Sequence, residues 1–462
     1  MSAWYDHAVF YHIYPFGLCG VPFINDSKEV VHKFKELELW LYHIRNLGCD
    51  AIYIGPLFES ISHGYDTTDY KKVDRRLGTN SEFADFVSKC HVLGIKVVVD
   101  GVFNHIGRKF FAFQDVKRNR ENSKFCEWFC QLNFSGNNSY NDEFAYQSWR
   151  GCTELVKLNL SNIEVKQYLF DVVRFWVNEF DIDGIRLDCA DVLDFTFMKE
   201  LRTFTDQIKD DFWLLGEVIH GDYSRWVNNS MLHAVTNYEL HKGLYSGHND
   251  HNYFEIAHTI KRLFDDNGGL CKGKRLYSFI DNHDVSRIID KISERAFLKP
   301  IYILLYTLPG IPSIYYGSEF LVSGDKNKVG DIGLRPALSL KDYIKKIDSD
   351  SRQVIYKNGE YDDIINLIKK LGEIHHNSDA LVDGRYQELT LTNRQYSFAR
   401  ILEKEVIIVA VNNDVQDTMM KIPVPVNMTD AEELFTNEKI KITEHSLNVL
   451  IGASSGVIIR LK

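Results

Sequence analysis

The chain has 462 residues, of which 45% are hydrophobic and 26% are charged. This composition is close to that of an average globular protein, which excludes a disordered or fibrous chain. Acidic residues outnumber basic residues by 64 to 54, and the resulting net charge of -10 gives no support to a nucleic-acid or other polyanionic partner.

Eight short apolar runs rich in β-branched residues predict the strands of one sheet. They lie at positions 9–14, 51–54, 95–99, 183–187, 212–215, 234–236, 275–280 and 313–316. Runs of this kind are typical of parallel strands that are buried on both faces. Stretches with helical periodicity separate them, which predicts the α/β class and a (β/α)8 TIM barrel. A doubly wound open sheet is the alternative that the pattern leaves open.

Helical periodicity also predicts two early helices of this barrel. One is expected over residues 34–46. The other is expected over 81–93, with Ser81 as its N-cap. Near the last barrel helix, His375 and His376 are expected to be solvated.

Two regions depart from the alternation of strands and helices. Residues 104–155 are polar, aromatic and rich in asparagine, which predicts a subdomain inserted after the third strand. Beyond about residue 380, short β segments follow one another without helical periodicity, which predicts an antiparallel β-sandwich. The expected domains are a barrel of residues 1–103 and 156–380, an insert of residues 104–155, and a sandwich of residues 381–462.

Polar side chains follow the predicted strands where each strand ends. In a barrel of this type, the carboxyl ends of the strands form the active-site face. The polar residues at those ends are Asp100, Asn104, His105, Arg186, Asp188, Glu217, His283 and Asp284. One acid at a strand end is ordinarily a helix cap or an ion-pair partner, but burying four carboxylates together opposes folding. Such a group is retained where it performs chemistry, so the sequence predicts an active site.

The residue types at this face indicate the chemistry. The sequence contains no glycine-rich phosphate loop, no nucleophile elbow and no metal-ligand helix motif. Paired carboxylates suit glycoside hydrolysis, in which one acid protonates the leaving oxygen and the other attacks or activates water. Arg186 points to the same barrel interior as Asp188, where its positive charge favours a nucleophilic carboxylate. Glu217 ends an apolar run, a setting that raises a carboxyl pKa and suits a general acid.

These motifs resemble those of the α-amylase family, glycoside hydrolase family 13, over essentially the whole chain. They read Asp100-Gly-Val-Phe-Asn-His105, Gly184-Ile-Arg-Leu-Asp188, Gly216-Glu217-Val and Phe279-Ile-Asp-Asn-His-Asp284. The resemblance implies that Asp188 is the nucleophile, Glu217 the acid/base and Asp284 the third carboxylate, which binds hydroxyls of the cleaved sugar. The residues that it implies for substrate binding are Tyr65, Asp100, His105, Arg186, His283, Asp331 and Arg335.

A further segment, Leu155-Val-Lys-Leu-Asn159, resembles that of neopullulanases and cyclomaltodextrinases. The N-terminal β domain that is usual in that subfamily is expected to be absent, because the barrel begins near residue 7. The resemblance implies a retaining hydrolase of α-1,4 glucosidic bonds in maltodextrins, starch-derived oligosaccharides, pullulan or cyclodextrins, with α-1,6 bonds as a further target. A transglycosylase of the same family and a non-catalytic glucan-binding homologue are the alternatives.

The expected partner is an α-glucan oligosaccharide, with no nucleic acid and no membrane, and the oligomeric state stays open. No cofactor is expected. Asn104 lies where many relatives bind calcium, but the sequence offers no complete ligand set and so predicts no metal site. The first residues do not form a signal peptide, and eight scattered cysteines fit buried reduced thiols, so a cytoplasmic location is expected.

Aromatic residues make up 13% of the chain and serve either a large core or the flat faces of sugars. Tyr65 is expected to stack on a sugar. Most aromatic residues of the insert are expected to pack its small core, and one or two to contact glucose. The residues concerned are Trp128, Phe129, Tyr140, Phe144, Tyr146 and Trp149.

Overall fold

The larger part of the chain folds as a closed barrel of eight parallel strands. A computed structural model describes residues 3–348, 351, 353–425, 428 and 430–461. The barrel strands are β1 (Phe10–Ile13), β2 (Ala51–Ile54), β3 (Lys96–Gly101), β4 (Gly184–Leu187), β5 (Trp213–Gly216), β6 (Ala234–Val235), β7 (Tyr277–Phe279) and β8 (Ile311–Tyr315). They pair in chain order, β8 pairs with β1, and a parallel bridge between Thr236 and Tyr277 closes the gap between β6 and β7. The TIM barrel is thereby confirmed, and each predicted run overlaps one strand.

The alternation of side chains along each strand decides which residues face the barrel axis. Val98 and Leu215 belong to a buried cluster formed by inward-facing residues of the barrel strands. Residues two positions apart on a strand lie on the same face, so Asp100 and Glu217 face the same interior, nearer to its carboxyl end. This alternation of side chains explains why acids that are distant in sequence meet at one end of the barrel.

Most helices connect the barrel strands, whereas Phe111–Asn119 lies in the insert and residues of Lys326–Gly333 line the cavity described below. The longer ones are Phe34–Asn46, Asn80–Val92, Phe111–Asn119, Ile163–Phe180, Phe195–Ile208, Tyr238–Asn249, Tyr253–Phe264, Leu298–Thr307, Lys326–Gly333 and Asp362–His376. Shorter helices are Trp4–His7, Pro15–Leu18, Ile288–Lys291 and Asp379–Asp383. A search of the described residues finds no helix with the length and apolar character needed to cross a membrane.

The prediction for the start of the second early helix was wrong. The N-cap is Thr79 and not Ser81, since the Thr79 side chain accepts a hydrogen bond from the backbone N–H of Glu82. The Glu82 carboxylate in turn accepts a bond from the backbone N–H of Thr79 at 2.9 Å. This reciprocal capping box satisfies two N–H groups, which a cap at Ser81 would leave without partners.

The expectation for His375 was also wrong, because its side chain is buried and only 2% exposed. Its ring packs near Tyr306, and Nδ1 lies 3.1 Å from the Tyr306 backbone oxygen. His376, the next residue, is exposed as expected. One face of the helix Asp362–His376 packs against the barrel, and its periodicity puts His375 on that face.

A three-stranded sheet and a second eight-stranded sheet flank the barrel, and two short hairpins complete the β structure. Between β3 and β4, the strands His105–Gly107, Ser148–Trp149 and Cys152–Lys157 form a small sheet. The hairpins pair Phe58–Ser60 with Thr67–Val73 and Ile344–Ile347 with Val354–Tyr356. The C-terminal strands are Arg385–Leu391, Gln395–Leu402, Glu405–Asn412, Thr418–Pro423, Asp430–Glu433, Lys439–Thr443, Ser446–Ile451 and Ser455–Leu461. They pair antiparallel around their own apolar core, which confirms the predicted sandwich. The exact domain boundaries stay a prediction.

Candidate active site

An open cavity of about 710 Å³ lies at the carboxyl ends of the barrel strands. Nearly all of the sequence-predicted site residues contribute to its wall or lie directly beneath it. The predicted residues that line it are Tyr65, His105, Asp188, Glu217, Asp284, Asp331 and Arg335. Asp100, Arg186 and His283 are buried below these side chains. The structure thus brings the residues of separate motifs together in one site.

The guanidinium of Arg186 occupies the centre of this site. Its Nη1 donates to Asp100 Oδ1 and to Asp188 Oδ1, at 2.9 Å in both cases. Its Nη2 lies 3.0 Å from Glu217 Oε1. All four residues are buried. One planar cation therefore holds three carboxylates in a fixed arrangement and offsets part of their mutual repulsion.

Cys189 makes a second connection between two of these carboxylates. Its backbone N–H donates to Glu217 Oε2 at 2.9 Å, and its thiol lies 3.1 Å from Asp188 Oδ2. Its φ of 40° lies in the left-handed region. This conformation turns the backbone N–H towards one acid while the side chain returns to the other. Each of the two acids therefore contacts both Arg186 and Cys189.

The electrostatic environment of Glu217 differs from that of a surface carboxylate. Burial, opposed by Arg186 but assisted by the negative charges of Asp188 and Asp284, raises the pKa of Glu217 to about 8. Burial likewise raises the pKa of Asp100, although Arg186 acts in the opposite direction. Glu217 therefore carries a proton at neutral pH, as a general acid requires.

Asp284 lies on the opposite side of the cavity in a more polar setting. Arg335 Nη2 donates to Asp284 Oδ1 at 2.8 Å, and His283 Nε2 lies 3.0 Å from Oδ2. Burial opposes ionisation, but His283 and the Arg335 guanidinium hold the pKa of Asp284 well below its usual range. This carboxylate is thus ionised and its oxygens have fixed positions.

Two aromatic side chains present flat surfaces around these acids. The half-buried ring of Tyr65 lines the cavity, and its hydroxyl lies 2.5 Å from His283 Nε2. Trp149, from the insert, stacks on the ring of His105 with centroids 5.9 Å apart and an interplanar angle of 16°. By contrast, Trp128, Phe129 and Phe144 are buried in the core of the insert, as expected for most of its aromatic residues.

Asp331 and Arg335 both line the cavity, but they have different partners. Asp331 lies at the rim with a side chain that is 52% exposed, and Lys326 Nζ is 3.0 Å from its Oδ1. Arg335 instead reaches inwards to Asp284 and to the backbone oxygen of His283. The segment that carries Lys326 and Asp331 is interrupted at Gly330, where φ is 62°.

Several residues that line the cavity were not predicted from the sequence. They are Cys189, Arg150, Asp191, Ile219, Tyr238 and Lys326, all of which line the cavity. One signal was available for two of them, because Cys189 and Asp191 come within three positions of Asp188.

Asn104, at the position where many relatives bind calcium, is buried beside His105. Among the described residues its Oδ1 has no hydrogen-bond partner, and its Nδ2 faces His105 Nδ1 at 3.1 Å. Calcium prefers six to eight oxygen ligands. Among the described residues, the one group of three His, Cys, Asp or Glu donors within ligand reach is His105, Asp188 and Cys189. An imidazole and a thiol do not fit calcium.

The fold and the site define a TIM barrel whose active face carries a cluster of acids of the type used in glycoside hydrolysis. Residues 38–363 match the family described as "Alpha-amylase: Alpha amylase, catalytic domain". The chain belongs to the α-amylase family. This finding confirms the resemblance that the four strand-end motifs indicated.

Individual relatives are similar over most of this chain. It is 33% identical to a cyclomaltodextrinase of Thermoanaerobacter pseudethanolicus, over 80% of this chain and 62% of the relative. It is 28% identical to an intracellular maltogenic amylase of Bacillus subtilis, over 84% of this chain and 61% of the relative. The chain thus spans about three fifths of the length of these curated relatives. Among solved structures, an acarbose-soaked debranching enzyme of Nostoc punctiforme superimposes with a TM-score of 0.80 at 28% identity, covering 99% of this chain and 98% of that one.

Replacing Arg186 by glutamine is expected to destabilise the fold by roughly 3–5 kcal/mol at pH 8, because it leaves three buried carboxylates without their shared cation. The loss should shrink as the pH falls, since the carboxylates then take up protons. Urea denaturation of both proteins from pH 5 to pH 8 measures this difference.

Arg295→Gln is the matched control for that substitution. Arg295 pairs with Asp363 and both side chains are exposed, so its loss should cost under about 1 kcal/mol. If the Arg186→Gln protein were as stable as this control at pH 8, the result would contradict the role of Arg186 in stabilising the three buried carboxylates.

Proposed function

We propose that this protein is a retaining α-glucan hydrolase that cleaves α-1,4 glucosidic bonds of maltodextrins, and α-1,6 bonds in addition. The observation that carries the proposal is that Asp188 and Glu217 bind the same guanidinium. One oxygen of Asp188 binds one terminal nitrogen of Arg186, and one oxygen of Glu217 binds the other. Retaining glycosidases need two carboxyl groups about 5–5.5 Å apart, closer than inverting enzymes do. A shared guanidinium favours this short separation.

In the first step, Glu217 protonates the glucosidic oxygen while Asp188 attacks the anomeric carbon from the opposite face. The bond between that carbon and the leaving oxygen breaks, and a bond to the Asp188 oxygen forms. The raised pKa of Glu217 keeps its proton available at neutral pH. Arg186 binds the Asp188 oxygen that does not contact the Cys189 thiol, which orients the carboxylate for attack.

In the second step, Glu217 has lost its proton and acts as a base. It takes a proton from a water molecule, and the resulting oxygen attacks the anomeric carbon and displaces Asp188. Two inversions at the same carbon give net retention, so the product has the α configuration. Glu217 is buried and accepts hydrogen bonds from Cys189 and Arg186, and this environment suits it to both steps.

The remaining residues of the site suit the binding of the cleaved glucose. The ionised Asp284 offers acceptors for sugar hydroxyls, and Arg335 and His283 fix its orientation. The ring of Tyr65 is available for stacking on an apolar face of the sugar. Trp149 offers a second such surface from the insert.

The choice of α-glucans is supported by the names of the relatives, which are a cyclomaltodextrinase, a maltogenic amylase and a debranching enzyme. We also propose that the protein acts inside the cell. All eight cysteines are free thiols, which suits a reducing compartment, and one relative is called intracellular.

Asp188→Asn is expected to lower kcat on maltotriose by a factor on the order of 10⁴–10⁶, because an amide is a poor nucleophile. The matched control is Asp194→Asn on the same loop. Asp194 caps the helix Phe195–Ile208, and asparagine caps a helix equally well, so near wild-type turnover is expected. Chromatography of the released sugars measures both variants.

The same assay distinguishes the proposed hydrolase from its rivals. Glucose and maltose as the main products of maltotriose support hydrolysis. Products longer than three glucose units as the main species would instead indicate a transglycosylase. No cleavage by the wild-type protein, or near-normal turnover by Asp188→Asn, would overturn the proposal.

The value of kcat/KM for maltotriose is expected to fall as the pH rises through about 8, because Glu217 must be protonated to act as an acid. Glu217→Gln should remove this alkaline limb and lower kcat/KM by a factor of roughly 10²–10⁴. Fluoride departs with little help from an acid, so the loss should be much smaller on α-maltosyl fluoride. Equal losses on the two substrates would contradict the assignment of Glu217.

A further inference from the structure

Cys189 presents a thiol inside the cavity at a position where the proposed hydrolysis needs none. Its side chain lies 3.1 Å from Asp188 Oδ2, on the side of that carboxylate away from Arg186. Cys189 is also one of the residues that line the cavity, although it is only 4% exposed.

His105 provides independent evidence that the cavity can accept a ligand beside Cys189. Its side chain is only 1% exposed, and its Nε2 is buried without a hydrogen-bond partner among the described residues. Its Nδ1 is already engaged by Asn104, and Trp149 covers one ring face. A buried polar atom without a partner is uncommon in a folded protein. The free Nε2 is therefore the atom of this ring that remains for a ligand.

The donor atoms of Cys189, His105 and Asp188 lie within 4.8 Å of one another. Ligand atoms around a tetrahedral zinc ion are roughly 3.3–3.6 Å apart, so closure requires a shift of about 1 Å in the His105 ring. Sulfur, nitrogen and carboxylate oxygen are the ligand types that zinc and cadmium prefer.

We propose that Cys189, His105 and Asp188 form a reversible inhibitory site for a thiophilic divalent cation such as Zn²⁺ or Cd²⁺. The ion takes three protein ligands and completes its shell with water. It occupies the space in front of Asp188 and engages a carboxylate oxygen, so it competes with a glucan for the cavity. The binding of the metal does not depend on the proposed function; the inhibition of hydrolysis rests on it.

The proton balance of this step sets its pH dependence. The metal displaces the thiol proton, which passes to solvent, and a metal–sulfur bond replaces the S–H bond. Because one proton is released for each metal bound, the affinity should increase as the pH rises. Calcium, which prefers oxygen ligands, should not bind here.

The test is a titration of the purified full-length protein with Cd²⁺, followed by the ultraviolet absorption of the cadmium–thiolate bond and by calorimetry. The wild-type protein is expected to bind with a thiolate signal, and excess maltotriose should weaken the apparent affinity at least tenfold. Cys189→Ser should abolish the signal. His105→Gln should keep the signal and weaken the affinity at least tenfold, as expected for the loss of one ligand.

Cys152→Ser is the matched control, because Cys152 is an exposed cysteine of the insert that does not line the cavity. It should retain both the buried-site signal and its competition with maltotriose. Circular dichroism of each variant checks that the fold is intact. A signal that survives in Cys189→Ser, that disappears in Cys152→Ser, or that maltotriose does not weaken would overturn the proposed site.

Inhibition supplies the second measurement. Micromolar Zn²⁺ should raise the apparent KM of the wild-type protein for maltotriose and leave kcat unchanged, whereas Ca²⁺ should have no effect. Cadmium binding in a protein that hydrolyses no glucan would reject the proposed function but keep the metal site. Glucan hydrolysis without cadmium binding at Cys189 would reject only the metal site.

Discussion

The contact of one guanidinium with three buried carboxylates governs the rest of the site. Three acids can be desolvated together only if a fixed cation and hydrogen-bond donors stabilise their charges. Arg186 supplies one positive charge to Asp100, Asp188 and Glu217, which leaves an excess of negative charge when all three are ionised. Protonating one acid relieves that excess. Burial and the negative charges of Asp188 and Asp284 raise the pKa of Glu217 to about 8, so Glu217 holds a proton at neutral pH.

The different roles of the carboxylates therefore follow from the residues that surround each of them. Asp188 shares Arg186 with two other acids through one oxygen, and its other oxygen faces the Cys189 thiol. Asp284 has its own cation in Arg335 and stays ionised. The same parallel strands that create this arrangement also explain its position, because side chains at alternate positions point to the barrel axis and the strand ends meet at one face. Fold and chemistry thus depend on a single geometric pattern.

The sequence sufficed for features that arise from local pattern. β-branched runs identified the eight strands, and acids directly after those runs identified most of the site. Features that depend on tertiary contacts were harder. The N-cap at Thr79 depended on the Glu82 side chain folding back, and the burial of His375 depended on which helix face meets the barrel. The pairing of Asp331 with Lys326 instead of an inner residue depends on a break at Gly330.

Cys189 shows the same limit at the active site. From the sequence it is a small apolar residue in a buried setting, and it is indeed buried. Only the left-handed backbone at this residue reveals that its N–H reaches Glu217 and its thiol reaches Asp188. The aromatic residues divide in a similar way, since Trp149 reaches the cavity while Trp128 packs in the core of the insert.

The most direct test of the account is the anomeric configuration of the new reducing end that cleavage of maltotriose creates, recorded by proton NMR before mutarotation. A double displacement through Asp188 predicts the α anomer as the initial product, followed by slow conversion to the equilibrium mixture. Initial release of the β anomer would show a single displacement by water. That result would contradict both the covalent intermediate and the part assigned to Asp188.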